Sequence, residues 1–262
     1  MMPETLNRTD EGQVATVALA RPESRNALNP ALISDLTNCF EALAEDERIR
    51  LVVLMGEGSS FCAGADIGYM RKTARFSYEE NLDDARKLAA MFLAVDECPK
   101  PVVAKVQGAA IGGGSGLVAA SDVVVAGEGT KFAFTEVRLG IAPATIAPFV
   151  VRKIGVSRAR ELFLTGERFD AARAREIGLV HEVVSEDDLD AAVDAKVSDL
   201  LKGGPEAQAA IKALLRDIES VERAETPGLM SRMNAMLRAG GEGQEGLGAF
   251  LEKREPRWRK EV

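Results

Sequence analysis

The chain has 262 residues, 46% of them hydrophobic and 28% charged, with a formal net charge of −8. That balance belongs to a globular chain with one large folded unit, or one unit and an appendage. The acidic surplus without a basic run argues against nucleic acid as a partner, and no apolar run reaches the roughly 18 residues of a membrane span.

Cys39, Cys62 and Cys98 are an odd set without C-x-x-C spacing, and read as reduced thiols with no metal or disulfide framework. The opening MMPETLNRTDEG is too polar for a secretion signal, so the expectation is a cytoplasmic protein. Residues 14–19 alternate β-branched and small side chains and predict the first strand. RPESRNALN (21–29) is a loop with two arginines, and Asn29 is placed to cap a helix over 30–46. Its apolar positions, Leu32, Ile33, Leu36, Phe40 and Leu43, recur at helical spacing. LVVLM (51–55) is a strand, GEGSS a turn and FCAGADI (61–67) a small-residue segment. A helical stretch covers 67–94; within it 72–77 is the candidate mobile lid, and Arg71, Lys72 and Arg75 read as a solvated charged face.

After the breaker CPKP, residues 101–106 predict a buried strand, and GGGSG (112–116) turns the chain into a short helix. A strand feeding such a turn leaves unpaired backbone N–H groups at the positive end of a helix, which suits an anion or a developing oxyanion. A dinucleotide fingerprint from Gly112 and Gly114 needs its third glycine where Leu117 stands. A nucleophile elbow around Ser115 needs a glycine at that same leucine. Tight helix–sheet packing remains open, as does an oxyanion hole, which requires a second N–H donor. The upstream FCAGADI segment is the candidate source. Residues 122–126 return as a strand and lead to FTE, ending at Glu136. Helices follow at 149–154 and 157–164 with Gly155 as the break, then at 169–178, then a strand over 179–184. His181, the sole histidine, sits in that strand and reads as structural rather than as a general base. Four helices close the chain, over 189–201, 206–223, 226–239 and 243–253.

FCAGADI, GGGSG, FAFTEVRLGIAP and FLTGERFDAARAREIGLVHEVV together resemble the enoyl-CoA hydratase/isomerase (crotonase) family, from about Val14 to the Arg259 region. The resemblance implies an α/β fold: a ββα superhelix over 1–188 that binds acyl-CoA, then a helical oligomerisation region over 189–262. It implies a homotrimer or homohexamer. It assigns the N–H groups of Ala65 and Gly113 to the thioester oxygen, Glu136 to proton transfer, and carbonyls around Ala63, Asp66 and Ile67 to the adenine of coenzyme A. Arg25 would meet the coenzyme A phosphates, and Phe250 and Lys253 would reach the coenzyme A of an adjacent subunit. Coenzyme A enters as part of the substrate, so no separate cofactor and no metal are expected.

One departure qualifies the family chemistry. Two-carboxylate hydratases carry a second glutamate twenty residues before the first, where this chain has Gly116. The glycine is expected to leave a space for water or a branched acyl group. The open readings are hydration of an α,β-unsaturated acyl-CoA, Δ3,Δ2-isomerisation by Glu136 alone, or acyl-CoA binding without turnover. GGGSGL and FTEVRLGIAPATIAPFVVRKIG resemble bacterial methylglutaconyl-CoA hydratases of leucine degradation, which favours hydration.

Overall fold

The computed structural model describes residues 5–259; residues 1–4 of the polar N-terminal stretch and residues 260–262 lie outside it. Successive turns of chain repeat one plan. The first holds β1 (Leu6–Glu11), β2 (Val14–Leu19) and α1 (Pro30–Glu45); the second holds β3 (Leu51–Gly56), α2 (Ile67–Thr73) and α3 (Tyr78–Glu97). The third holds β4 (Val102–Val106), β5 (Ala109–Ile111) and α4 (Gly113–Ala120); the fourth holds β6 (Val123–Gly127), β7 (Lys131–Ala133) and α5 (Ala147–Thr165). β8 (Arg168–Asp170), α6 (Ala171–Glu176) and β9 (Glu182–Val184) complete the core, and α7 (Leu189–Leu201), α8 (Pro205–Ser220), α9 (Thr226–Ala239) and α10 (Gly241–Leu251) follow.

Each turn feeds two sheets. The larger runs β1-β2-β3-β4-β6-β9 and is parallel beyond the first hairpin; the smaller runs β5-β7-β8. Single bridges, Cys62 with Ala110 and Leu28 with Ala65, carry the smaller sheet back across the first two turns. This is the crotonase-type ββα superhelix. Alternation along the strands explains its core. Val52, Leu54, Val102, Ala104, Val124 and Ala126 face the helices inside, while Leu51, Val53, Val103 and Val125 face Leu189 and Val193 of α7. Strands buried on both faces read as unbroken apolar runs, as 51–54 does.

The sequence patterns predict no strand at β1, β5, β7 or β8. β1 is a polar hairpin edge, LNRTDE, and β8 is three residues long, so the helix expected from 169 begins instead at Ala171. The two helices expected around Gly155 form one element bent at that glycine, whose φ is 74° and ψ 160°. No helix among the described residues is long and apolar enough to cross a membrane.

His181 is held in place. Its Nδ1 accepts the Val124 N–H at 2.9 Å. Burial, then the nearby Lys153 and Lys196 charges, push its pKa from 6.5 down to about 4. The unfolded chain therefore takes up a proton below pH 6.5 that the folded chain refuses until about pH 4. Stability from this group is complete above 6.5 and is lost as pH falls through that window. Denaturant midpoints at pH 7, 5.5 and 4.5 should fall more steeply for the parent than for His181→Asn; parallel slopes would contradict the assignment.

Candidate active site

The loop before α1 builds one wall of the site. Asn26 is fully buried and takes a left-handed φ of 55°. Its side chain accepts the Arg21 N–H at 2.9 Å and donates to the carbonyls of Glu57 and Ser60 at 2.9 and 2.8 Å. Every polar atom of that amide engaged in these bonds ties the loop to the turn after β3. Residues 25–28 then pair with 63–66: Ala63 N–H donates to Arg25 O (2.9 Å), Leu28 N–H to Gly64 O (2.7 Å) and Asp66 N–H to Leu28 O (2.9 Å). With Gly64 O and Asp66 N facing Leu28, the intervening Ala65 directs its N–H to the opposite side. Among the described residues that N–H has no backbone partner.

The other edge of the same segment meets β5. Cys62 N–H donates to Ala109 O, and Ile111 N–H donates to Cys62 O. The register pairs Cys62 with Ala110, and a Cβ on Gly64 would stand 2.9 Å from Ile111 O, so the 61–66 segment lies along β5 up to the turn at Gly112. Gly113 opens α4, where the first N–H groups have no partner within the helix. The preceding Gly112 has φ 53° and ψ −117°, a conformation that a side chain would strain. A Cβ at Gly114 would overlap the Cys62 carbonyl oxygen and stand 2.9 Å from Cys62 Cβ. Glycine at 114 is thus what lets α4 approach the 61–66 segment.

Glu136 begins the 3-10 turn Glu136–Leu139 after β7. A Cβ on Gly112 would be 3.1 Å from Glu136 Oε1, so the carboxyl lies against the start of α4. Its Oε2 is buried without a hydrogen-bond partner. Burial raises its pKa above the ordinary carboxylate value, opposed only by its own backbone N–H. An unpartnered, proton-retentive carboxyl beside the opening of α4 can move protons on a molecule held at that helix start.

Ser115, the hydroxyl of the turn, is buried and donates to Ala110 O at 2.6 Å and Ala133 O at 3.2 Å. It joins β5 to β7 and has no histidine beside it. Arg25 is exposed next to the 63–66 segment, as are Ala65 and Ile67. Asp66 is occupied: its carboxylate accepts Tyr69 N–H at 3.0 Å as the cap of α2 and pairs with Arg21 at 3.0 Å. Phe250 is 80% exposed near the end of α10, and Lys253 follows with φ 55°. No His, Cys, Asp or Glu group suited to a metal occurs among the described residues.

Gly116 corrects an expectation. It leaves no glutamate-sized space: a Cβ there would overlap Ile146 Cγ2 and stand 2.9 and 3.0 Å from Cε1 and Cζ of Phe92. Hydrocarbon from α3 and from the start of α5 fills the position. The contacts span 24 and 30 residues of sequence, so no local pattern announces them. Asn26 was equally hidden, because a buried asparagine in a loop reads as a solvated one.

A ββα superhelix with a glycine-opened helix start beside a buried carboxyl is the arrangement expected of the crotonase class of enzyme. The family model described as enoyl-CoA hydratase/isomerase matches residues 9–261. The chain is 35% identical to the 2,3-dehydroadipyl-CoA hydratase of Escherichia coli over 93% of this chain and 94% of the relative. It superposes on a solved enoyl-CoA hydratase from Shewanella pealeana with a TM-score of 0.94, at 40% identity, covering 98% of this chain and 97% of that one. Pseudomonas aeruginosa AtuE matches with a TM-score of 0.94 at 38% identity, covering 98% and 100%. The chain belongs to the enoyl-CoA hydratase/isomerase family.

Proposed function

We propose that this enzyme adds water to an α,β-unsaturated acyl-CoA with Glu136 as its one proton-transfer group. The thioester oxygen accepts hydrogen bonds from Ala65 and Gly113, each worth about 3 kcal/mol to the enolate by analogy with other oxyanion holes. Glu136 takes a proton from water as its oxygen attacks carbon 3, then delivers that proton to carbon 2 of the enolate. Water is consumed, the carboxylate is regenerated and coenzyme A stays attached. The observation that carries this reading is the buried, unpartnered Oε2 of Glu136, whose other oxygen lies against Gly112. The names of the relatives support hydration. The apolar wall at Gly116 favours one alternative, Δ3,Δ2-isomerisation, in which the same carboxylate carries a proton from carbon 4 to carbon 2.

3-Methylglutaconyl-CoA is the proposed substrate, supported by the resemblance of GGGSGL and the FTEVRLGIAP region to hydratases of that thioester. Crotonyl-, 3-hexenoyl- and 3-methylglutaconyl-CoA, followed at the thioester enone absorbance, test the assignment. Hydration bleaches the first and third, isomerisation generates absorbance from the second, and a silent binder changes none.

The enzyme is further proposed to act as a homotrimer or homohexamer in the cytoplasm, with Phe250 and Lys253 of one copy at the coenzyme A of the next and Arg25 on its phosphates. Exposed Leu215, Met236, Leu247 and Phe250 on α8 to α10 support an apolar subunit contact. Lys253→Ala should raise KM more than it lowers kcat, because a remote charge binds ground and transition states alike. A fully active monomer in sedimentation runs would overturn this.

A further inference from the structure

Gly112, the N-cap of α4, lies one turn before Gly116 and accepts the Gly116 N–H at 3.0 Å. The Glu136 carboxyl lies against Gly112, and hydrocarbon lies against Gly116. Ile146 is 1% exposed and Phe92 fully buried; Phe92 in turn meets Phe149 at 5.9 Å between ring centroids. Ile146 also stands at the N-cap of α5, where Ser, Thr, Asp or Asn would accept a helix N–H, and it makes no such bond. Its side chain is committed to the contact with Gly116 instead.

The surroundings of Glu136 are otherwise uncharged. α4 brings glycine backbone to it and its own turn brings its own N–H. Arg138, two residues on, lies against Gly166, where a Cβ would be 3.2 Å from Nε. No charged side chain among the described residues perturbs the carboxyl.

We infer that Ile146, seated on Gly116 and backed by Phe92, is the positioning and specificity residue that makes this a one-carboxylate site: it takes the place of a side chain facing Glu136 and keeps that flank dry. This rests on the reading of Glu136 as the proton-transfer group. An acyl chain bearing its own carboxylate then meets no second fixed negative charge on α4, so the class favoured is an enoyl-CoA of a dicarboxylic acid.

The Glu136 carboxyl carbon can be titrated by 13C NMR in the free protein, with Glu136→Gln assigning the signal. Ile146→Ala should lower its midpoint toward the ordinary carboxylate range as water reaches the flank, and Ile146→Val should leave it in place. Gly116→Ala should lower Tm, and adding Ile146→Ala should restore part of the loss, because the two side chains compete for one space. Gly116→Glu/Ile146→Ala should raise KM for 3-methylglutaconyl-CoA about tenfold more than for crotonyl-CoA, as expected for an added like charge. An unmoved midpoint in Ile146→Ala, additive Tm losses, or equal KM changes for the two thioesters would each overturn the inference. No turnover by the parent, with midpoint and thermal coupling as stated, would sink the proposed hydratase function and uphold the packing of Ile146 on Gly116.

Discussion

Glu136→Gln is expected to lower turnover of the responsive enoyl-CoA by about 10²–10⁴-fold, the range for loss of a positioned acid–base group, with acyl-CoA affinity retained. Glutamine keeps the shape that lies against Gly112 and removes the titrating proton. The loss should fall on kcat and kcat/KM together, since the proton moves only in the transition state. Burial raises the Glu136 pKa, so the parent's acid limb should lie above the ordinary carboxylate range. The same shift means that the folded chain holds this proton at pH values where the unfolded chain has released it. Stability is therefore lost as pH rises from the ordinary glutamate value of 4.5 toward the higher folded-state value. The variant should lack that loss and melt higher than the parent at neutral pH. Parental turnover in Glu136→Gln would remove this carboxyl from the mechanism.

Gly114→Ala is the second large expectation. The added methyl group would overlap the Cys62 carbonyl oxygen, which is backbone and cannot swing aside. α4 and the 61–66 segment must separate, and the N–H groups of Ala65 and Gly113 separate with them. Loss of one oxyanion donor costs about 10²–10³ in kcat, and displacement by about 1 Å can cost about 10². kcat should therefore fall by about two orders of magnitude in protein that still gives the parent's circular dichroism and oligomer size. A folded variant with parental kcat would show that close approach at Gly114 does not set the donor geometry. Because the serine next to it bonds Ala110 O and Ala133 O, Ser115→Ala should instead act on stability, with little effect on kcat.

Much of this was legible along the chain. Apolar runs such as 51–55 and 101–106 force buried strands, because hydrocarbon facing both ways can be satisfied only inside a parallel sheet. Leu32, Ile33, Leu36, Phe40 and Leu43 force a one-sided helix, and Asn29 caps it by accepting the Leu32 N–H at 2.8 Å. The glycine turn at 112–116 announced free N–H groups, because helix starts leave them unspent whatever surrounds them. The motifs, not the periodicity, pointed to the superhelix and to Glu136.

Other features depend on residues that meet only after folding. Strand alternation decides that Ala65 N–H faces away from Leu28, and the Cys62–Ala110 bridge decides that the 61–66 segment runs beside β5. β8 has no signal of its own and is a strand only because β7 offers it an edge. The contrast is clearest at Gly116. By itself the sequence determined that no carboxylate stands there. Whether the missing side chain leaves a water-filled space or a dry wall depends on volume contributed by Phe92 and Ile146, from two other turns of the superhelix. Close packing is a property of neighbours in space, so only the tertiary structure decided that the space is filled.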